Sequence, residues 1–357
     1  MVVGVEKIKS FDLKGLKILI TGHTGFKGSW LCEWLLQEGA HVSGLALPPE
    51  APKSLFSTLH LAERISNHIV CDIRDFESLS VNIKNANPDV IFHFAAQALV
   101  RRSYRDPLLT WDTNVMGTLN VLEASRGLQR PITIIVITTD KVYKNREWEY
   151  AYREEDELGG YDPYSSSKAA CEIAVASWRS SFGSKNGVTV VTARAGNVIG
   201  GGDESEDRII PDCFRSWKQG KSVELRSPLS TRPWQHVLEP LSGYLALAAH
   251  TYSQNNIIYA CNFGPESDGH CTVQKLVNSL AALDSNRSWL IKKDNVMHEA
   301  KELSLSIDRA RHTLGWKPIL SFEETIKWTN DGYTATSESF PDLIKLQVKE
   351  YRKRRQG

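Results

Sequence analysis

The chain has 357 residues, 41% of them hydrophobic and 24% charged, and its 43 Lys and Arg against 42 Asp and Glu leave a net charge of +1. That mix excludes a disordered polyelectrolyte, and it lacks the basic footprint of a dedicated nucleic-acid binder, so no nucleic acid partner is expected. No apolar run approaches the roughly 18 residues of a membrane span. Glu6, Lys7 and Lys9 stand where a signal peptide would be apolar. The six cysteines, at 32, 71, 171, 213, 261 and 271, form no CxxC pair. A cytoplasmic protein with reduced thiols, no membrane attachment and no bound metal is expected.

Lys17–Thr21 reads as a buried strand, and Trp30–Glu38 as a helix stopped by Gly39. His41–Leu47 follows as a second strand, Ile69–Cys71 as a third and Asp89–Ala95 as a fourth, with Phe76–Asn85 helical between the last two. A longer helix is expected over Leu108–Arg126, a fifth strand over Ile132–Ile137, a helix over Tyr164–Phe182 and a sixth strand over Val188–Ala193. The apolar runs are continuous rather than alternating, as strands covered on both faces require. Strand–helix repetition at this spacing implies an α/β fold: a doubly wound parallel sheet of Rossmann type. Beyond Arg194 the segments are shorter. Gly200-Gly201-Gly202 and the acidic Asp203–Asp207 form a loop, Val223–Arg226 and Ile257–Asn262 are short strands, and helices fall near 237–250, 272–283 and 321–336. The basic stretch Lys349, Arg352, Lys353, Arg354 and Arg355 reads as a solvated terminus. The expected division is a dinucleotide-binding domain mainly over 1–195 and a smaller mixed α/β substrate-binding region mainly over 196–357. Some chain crosses between them, and the site lies where they meet.

Thr21-Gly22-His23-Thr24-Gly25-Phe26-Lys27-Gly28 follows the first strand and opens a helix. Glycines let the backbone turn tightly and approach a pyrophosphate, and the helix N-terminus presents free N–H groups to it. A tight strand–helix turn without ligand is the plainer reading. The loop is not a P-loop, because Lys27 precedes the last glycine. Ala46-Leu47-Pro48 ends the second strand without an acidic or basic residue, so these residues leave NAD and NADP both open. Asp72 has two readings, adenine recognition or a helix cap. Thr138-Thr139-Asp140-Lys141-Val142-Tyr143 puts polar groups at the carboxyl end of the fifth strand, where α/β folds bind ligands. Tyr164 and Lys168 are four apart and share a helix face, where an ammonium favours the phenolate. Ser165-x-x-Lys168 lacks the Ser-Asp-Asn and Lys-Thr-Gly partners of a penicillin-binding site. His298-Glu299 has Glu302 where a zinc protease needs its second histidine.

In this order the glycine loop, Ala95-Ala96-Gln97, Asn114, Thr139, Tyr164 with Lys168, and Leu314-Gly315-Trp316-Lys317-Pro318 resemble the extended short-chain dehydrogenase/reductase family. The resemblance spans about 15–335 and is nearest to the nucleotide-sugar 4,6-dehydratases. It implies NAD held by Gly22, Thr24, Gly25, Phe26, Lys27 and Gly28, by Asp72 and Ile73, by Ala95, Ala96, Gln97 and Asn114, and by Tyr164 and Lys168. The implied catalytic set is Thr139, Asp140, Lys141, Tyr164 and Lys168. Arg101, Thr139, Asn197, Arg208, Arg232 and His236 are the implied substrate contacts, and the segment around Arg194 belongs to the same sugar-nucleotide region.

The dTDP- and GDP-sugar members carry Thr-Asp-Glu at the fifth strand, whereas here it is Thr139-Asp140-Lys141. With Gln97–Tyr104 and Gly196–Asp203 this resembles the CDP-sugar branch. The implied reaction turns CDP-D-glucose into its 4-keto-6-deoxy derivative and water, in dideoxysugar synthesis for surface polysaccharide. Tyr164 would take the 4-hydroxyl proton, helped by Lys168, while Thr139 holds the 4-oxygen and Asp140 donates to the departing 6-hydroxyl. Lys141 would be the carbon-5 base, made neutral by burial and nearby positive charge, or would stabilise the enolate. An epimerase or a dehydratase for another sugar nucleotide is the alternative. The helices from Leu108 and Tyr164 carry Leu108, Leu109, Val115, Leu119 and Leu122, and Ala169, Ala170, Ile173, Ala174 and Trp178. In the family these helices pair between copies, which implies a homodimer or a dimer of dimers.

Overall fold

The computed structural model describes residues 12–183, 187–253, 257–266, 269–292 and 302–356. His298 lies outside them. The continuous apolar runs become β1 (Lys17–Thr21), β2 (His41–Ala46), β3 (Asn67–Val70), β4 (Val90–His93), β5 (Ile132–Ile137) and β6 (Val188–Ala195). Short strands follow: β7 (Val198–Ile199), β8 (Val223–Leu225), β9 (Thr231–Pro233) and β10 (Gln235–His236), then β11 (Ala260–Phe263), β12 (His270–Thr272) and β13 (Trp289–Ile291). Seven of them form one parallel sheet in the order β11-β6-β5-β4-β1-β2-β3. The order reverses between β1 and β4, and the crevice beyond the carboxyl ends of those two strands is where such a sheet takes a ligand.

The helices of the first half are α1 (Phe26–Gln37), α2 (Leu55–Thr58), α3 (Leu61–Arg64), α4 (Phe76–Ala86), α5 (Val100–Arg105), α6 (Pro107–Trp111), α7 (Gly117–Arg126) and α8 (Pro163–Trp178). The second half adds α9 (Ile209–Lys218), α10 (Leu238–Ser253), α11 (Val273–Ala281), α12 (Asp308–Leu314), α13 (Phe322–Thr334) and α14 (Phe340–Gln356). Successive strand residues point to opposite faces. Ile18, Ile20 and Ile135 therefore pack with α1, α10, α12 and α14, while Leu19, Ile134 and Val136 pack with α4, α7 and α8. A separate core of Ile210, Phe214, Trp234, Leu276 and Phe322 supports the short strands. The chain after 196 also returns to the main sheet, since β11 pairs with β6 and α10 covers that sheet's face.

Three local differences from the sequence expectations have physical reasons. Helix α1 begins at Phe26, not Trp30, because Gly25 in extended backbone caps it without any side-chain hydrogen bond. The helix expected over Leu108–Arg126 runs from Pro107 but widens into a π-turn at Asp112–Met116. The basic tail is a docked helix, not a loose terminus: Lys349, Lys353 and Arg354 are exposed, but Ile344, Val348 and Tyr351 recur on one face of α14 and are fully buried in the main core. Tyr351 donates to Glu239 Oε2 at 2.5 Å, and Arg352 Nε to Glu38 Oε1 at 2.7 Å. No helix among the described residues is long and apolar enough to cross a membrane.

Candidate active site

The glycine loop closes the carboxyl end of β1 on backbone alone. Gly22 has φ +76°, and a Cβ there would lie 2.7 Å from the Ala95 nitrogen. A Cβ on Gly28 would lie 2.3 Å from the Gly22 oxygen. Gly25 is different: its Cβ would meet only that same oxygen, at 3.4 Å, and the residue is exposed. Packing thus demands the outer two glycines, while the middle one opens onto the N-terminus of α1. That cradle fits the pyrophosphate of a dinucleotide, with free N–H groups aimed at it. Thr24 Oγ1 anchors the loop to the Leu47 carbonyl at 2.9 Å. Lys27 lines the main cavity, 5.9 Å over the Tyr244 ring, and is pushed down to about 7 by burial first and then by the Arg208 charge.

Several residues expected to touch the cofactor have side chains bonded within the protein. Asn114 Oδ1 accepts from the Gln97 nitrogen at 2.9 Å, and its amide donates to the Gln97 carbonyl at 3.0 Å and to Ser167 Oγ at 2.9 Å. Gln97 in turn donates to the Leu99 carbonyl and Thr110, and accepts from the Leu99 nitrogen. Both side chains are bonded within the protein and brace the turn after β4. Ile73 is buried in the core against Gly117, whose added Cβ would lie 2.6 Å from Ile73 Cδ1. Asp72 pairs with Arg74 at 2.6 Å, and the cap of α4 is Asp75, which accepts from the Ser78 nitrogen. Ala95 and Ala96 are half-buried beyond the end of β4, and Ala95 faces Gly22.

A cavity of about 1030 Å³ opens between the sheet's carboxyl edge and the short strands; Thr139, Asp140, Lys141 and Tyr164 line it. Asp162 caps α8 by accepting from the Ser165 nitrogen at 2.9 Å, which presents Tyr164 at the helix start. Tyr164 and Thr139 face the same cavity. Thr139 Oγ1 donates to Asp140 Oδ1 at 2.9 Å, while Asp140 Oδ2 is buried with no hydrogen-bond partner among the described residues. Lys141 is half-buried rather than enclosed. Lys168 sits behind the cavity and donates to the Ile137 carbonyl at 3.2 Å. Burial pushes Tyr164 up to about 12; the influences opposing it are the Thr139 hydroxyl and then the Arg208 charge, not Lys168 as the spacing suggests. Lys168 itself is lowered by burial.

Arg101, Arg208, Arg232 and Asn197 all line the cavity. Arg101 pairs with Asp207 at 3.4 Å and Arg208 with Asp203 at 3.1 Å. Asn197 Oδ1 is buried without a hydrogen-bond partner among the described residues. Arg226 joins this wall, 3.1 Å from Asp207; nothing in the sequence spacing pointed to it. His236 is not on the wall. It is fully buried between the rings of Trp30 and Trp328, at 5.7 and 5.6 Å, and burial lowers it to about 3. Arg194 does not face the cavity either, because it is paired with buried Glu172.

Residues 19–329 match the family described as GDP-mannose 4,6 dehydratase. The chain belongs to that family. Among relatives of this dehydratase family, a CDP-glucose 4,6-dehydratase of Salmonella typhimurium is 44% identical over 326 residues, covering 88% of this chain and 90% of that one. A dTDP-glucose 4,6-dehydratase of Haemophilus influenzae is 24% identical and covers 91% of this chain and 99% of its own. Among solved structures, a dTDP-glucose 4,6-dehydratase of Bacillus anthracis in complex with NAD superposes with a TM-score of 0.75 at 22% identity, covering 91% of this chain and 99% of that one. A UDP-glucose 4-epimerase of Thermus thermophilus in complex with NAD gives a TM-score of 0.77 at 23% identity, over 89% and 99%. At such identities the structural likeness speaks for the Rossmann-type fold.

Proposed function

We propose that the chain is an NAD-dependent hydro-lyase that converts CDP-D-glucose to CDP-4-keto-6-deoxy-D-glucose and water. One observation carries the reading: Tyr164 and Thr139 share one cavity with Asp140 and Lys141. The first pair suits oxidation at carbon 4, and the second pair suits removal of water across carbons 5 and 6. An epimerase or a simple dehydrogenase needs only the first. The relative at 44% identity supports the CDP-glucose assignment.

Gly22, Gly25 and Gly28 would hold the pyrophosphate of NAD, and Lys168 and Tyr164 would also bind the cofactor. Bound NAD supplies the hydride acceptor for carbon 4 and the donor for carbon 6, so no net reductant is consumed. Tyr164 removes the proton of the 4-hydroxyl, and Thr139 holds the same oxygen. The new ketone acidifies carbon 5, whose proton Lys141 takes in its neutral amine form. Asp140 gives a proton to the 6-hydroxyl, which departs as water. The unpartnered Asp140 Oδ2 is the oxygen left to meet it. Arg101, Arg208, Arg226 and Arg232 receive the diphosphate through charge-assisted bonds.

Leu108, Trp111, Met116 and Ile173 are exposed on α6, the π-turn and α8. This apolar face supports a homodimer, alone or within a dimer of dimers. Of the apolar residues named above, Leu122, Ala169 and Trp178 are buried in the chain's own core. The burial of all six cysteines supports a reducing, cytoplasmic setting, and a 4-keto-6-deoxy product suits dideoxysugar and lipopolysaccharide synthesis. The test is incubation with CDP-, dTDP-, GDP- and UDP-glucose. A 4-keto-6-deoxy product from CDP-glucose, without net NADH, is expected. A 4-epimer instead, or preference for another nucleotide, would overturn the assignment.

A further inference from the structure

Lys168 follows Tyr164 by one helical turn, and Glu172 follows Lys168 by another, so one face of α8 carries all three toward the sheet. Glu172 and Arg194 of β6 form an ion pair with side chains only 3% and 4% exposed. Its geometry is a two-pronged fork: Arg194 Nη2 donates to Glu172 Oε2 at 2.8 Å and Nε to Oε1 at 3.0 Å. Thr192 Oγ1 donates to Oε2 at 2.7 Å.

Two further bonds reach the catalytic segment. Thr138 Oγ1 donates to Glu172 Oε1 at 2.5 Å. Arg194 Nη1 donates to the Tyr143 hydroxyl at 3.0 Å and to the Glu154 carbonyl at 2.9 Å. The Tyr143 hydroxyl donates onward to Asn262 Oδ1 at 2.7 Å. Thr138 and Tyr143 flank Thr139-Asp140-Lys141-Val142 directly. A single ion pair therefore grips both ends of the segment that carries the elimination chemistry, and neither of its members lines the reaction cavity.

We propose that Glu172 and Arg194 are positioning residues that set Thr139, Asp140 and Lys141 against the face of α8 bearing Tyr164 and Lys168. The proposal rests on the dehydratase reading above. A buried ion pair is weak as a stabilising device, since apolar replacements are often as stable. Placement is what this one supplies. The elimination step depends on it most, because both of its residues, Asp140 and Lys141, lie between the two gripped points, whereas oxidation has only Thr139 there. Tyr164 has its own support in the α8 cap.

The test compares Thr138→Val, Thr138→Ser and Arg194→Lys in the NAD-loaded enzyme with CDP-glucose. Thr138→Val frees one end of the segment, and Arg194→Lys frees the other while keeping the charge. In both, kcat should fall by about 10²-fold, the size of effect that follows a misplacement of about 1 Å, with KM within about twofold of the parent. Solvent deuterium entering carbon 5 should slow in parallel, and absorbance at the NADH band should build up because carbon-4 oxidation outruns elimination. Thr138→Ser, which keeps the hydroxyl, should stay near the parent. Unchanged kcat in both disrupting variants would overturn the proposal. So would a lowered melting temperature or lost cofactor with oxidation and deuterium entry slowed equally, since that is a structural role. Lys141→Met and Tyr164→Phe are run beside them. If those two retain turnover the dehydratase reading fails; if only they lose it, positioning alone fails.

Discussion

The two walls of the cavity are made of different material. On the cofactor side the surface is backbone: Gly22 and Gly28 are required because any side chain would strike Ala95 or Gly22 itself. On the substrate side the surface is side chains held by ion pairs, with Asp203 on Arg208 and Asp207 on both Arg101 and Arg226. Glu206 likewise ties down Arg102 and Arg105. A backbone wall tolerates no change in shape. A wall of paired side chains can exchange its internal carboxylates for the oxygens of a diphosphate. The first suits an invariant cofactor and the second a substrate that comes and goes.

The largest effect should come from the rigid wall. Gly28→Val drives its Cβ into the Gly22 carbonyl, so purified protein should carry no cofactor, or should fail to fold. Gly25→Ala has room in the protein, and its loss should appear only in NAD affinity; equal damage from both would erase the distinction between outer and middle glycines. Next comes the junction of the walls. Tyr164→Phe removes the proton acceptor and should reduce turnover by about 10²–10⁴-fold with NAD still bound. Near-parental turnover would take Tyr164 out of the chemistry.

Smaller effects belong to the side-chain wall. Arg226→Ala removes one of several cations, so KM for CDP-glucose should rise by about tenfold with kcat nearly unchanged, as for one lost charge-assisted bond of about 1.5 kcal/mol. A fall in kcat with constant KM would move Arg226 from binding to catalysis. The most diffuse effect is on acid stability. His23, His93 and His236 are lowered to about 4, about 3 and about 3, in each case chiefly by burial. They fold neutral and take up protons on unfolding. Their contribution is therefore complete above about 6.5, the ordinary histidine value, and is lost as pH falls toward 4. Each proton adds at most about 1.4 kcal/mol per pH unit. The urea midpoint should drop from pH 7.5 to pH 5.5, and a constant midpoint would mean that these rings are charged in the fold.

The same contrast governs what could be read from the sequence. Strands covered on both faces show as unbroken apolar runs, and Ile132–Ile137 is a strand over the expected span. The glycine loop was equally legible, because a backbone constraint leaves glycines at a fixed spacing. Partnerships between distant side chains leave no such trace. Arg101 meets Asp207 across 106 positions, and Arg194 lies beside a sugar-nucleotide motif yet turns to Glu172. His236, Asn114 and Gln97 are polar residues near the site whose partners, or lack of exposure, only the fold reveals. Glu172 did carry a signal, one turn past Lys168 on the same face. The docked α14 carried one too, in the spacing of Ile344, Val348 and Tyr351, but its charges hid it.

That helix also bears on timing during synthesis. Helix α1, whose first turn is the phosphate cradle, is backed by α14, with Trp34 and Tyr351 at 5.6 Å and Arg352 on Glu38. Ribosomes add about 5–20 residues per second, so the roughly 300 residues between the two helices take on the order of 15–60 s to emerge. Through that interval the apolar face of α1 that α14 will cover has no partner, and β6 waits for β11 at its edge. The nucleotide loop is thus translated first and matures last, and until α14 emerges the nascent chain shows chaperones a face that the finished enzyme never displays.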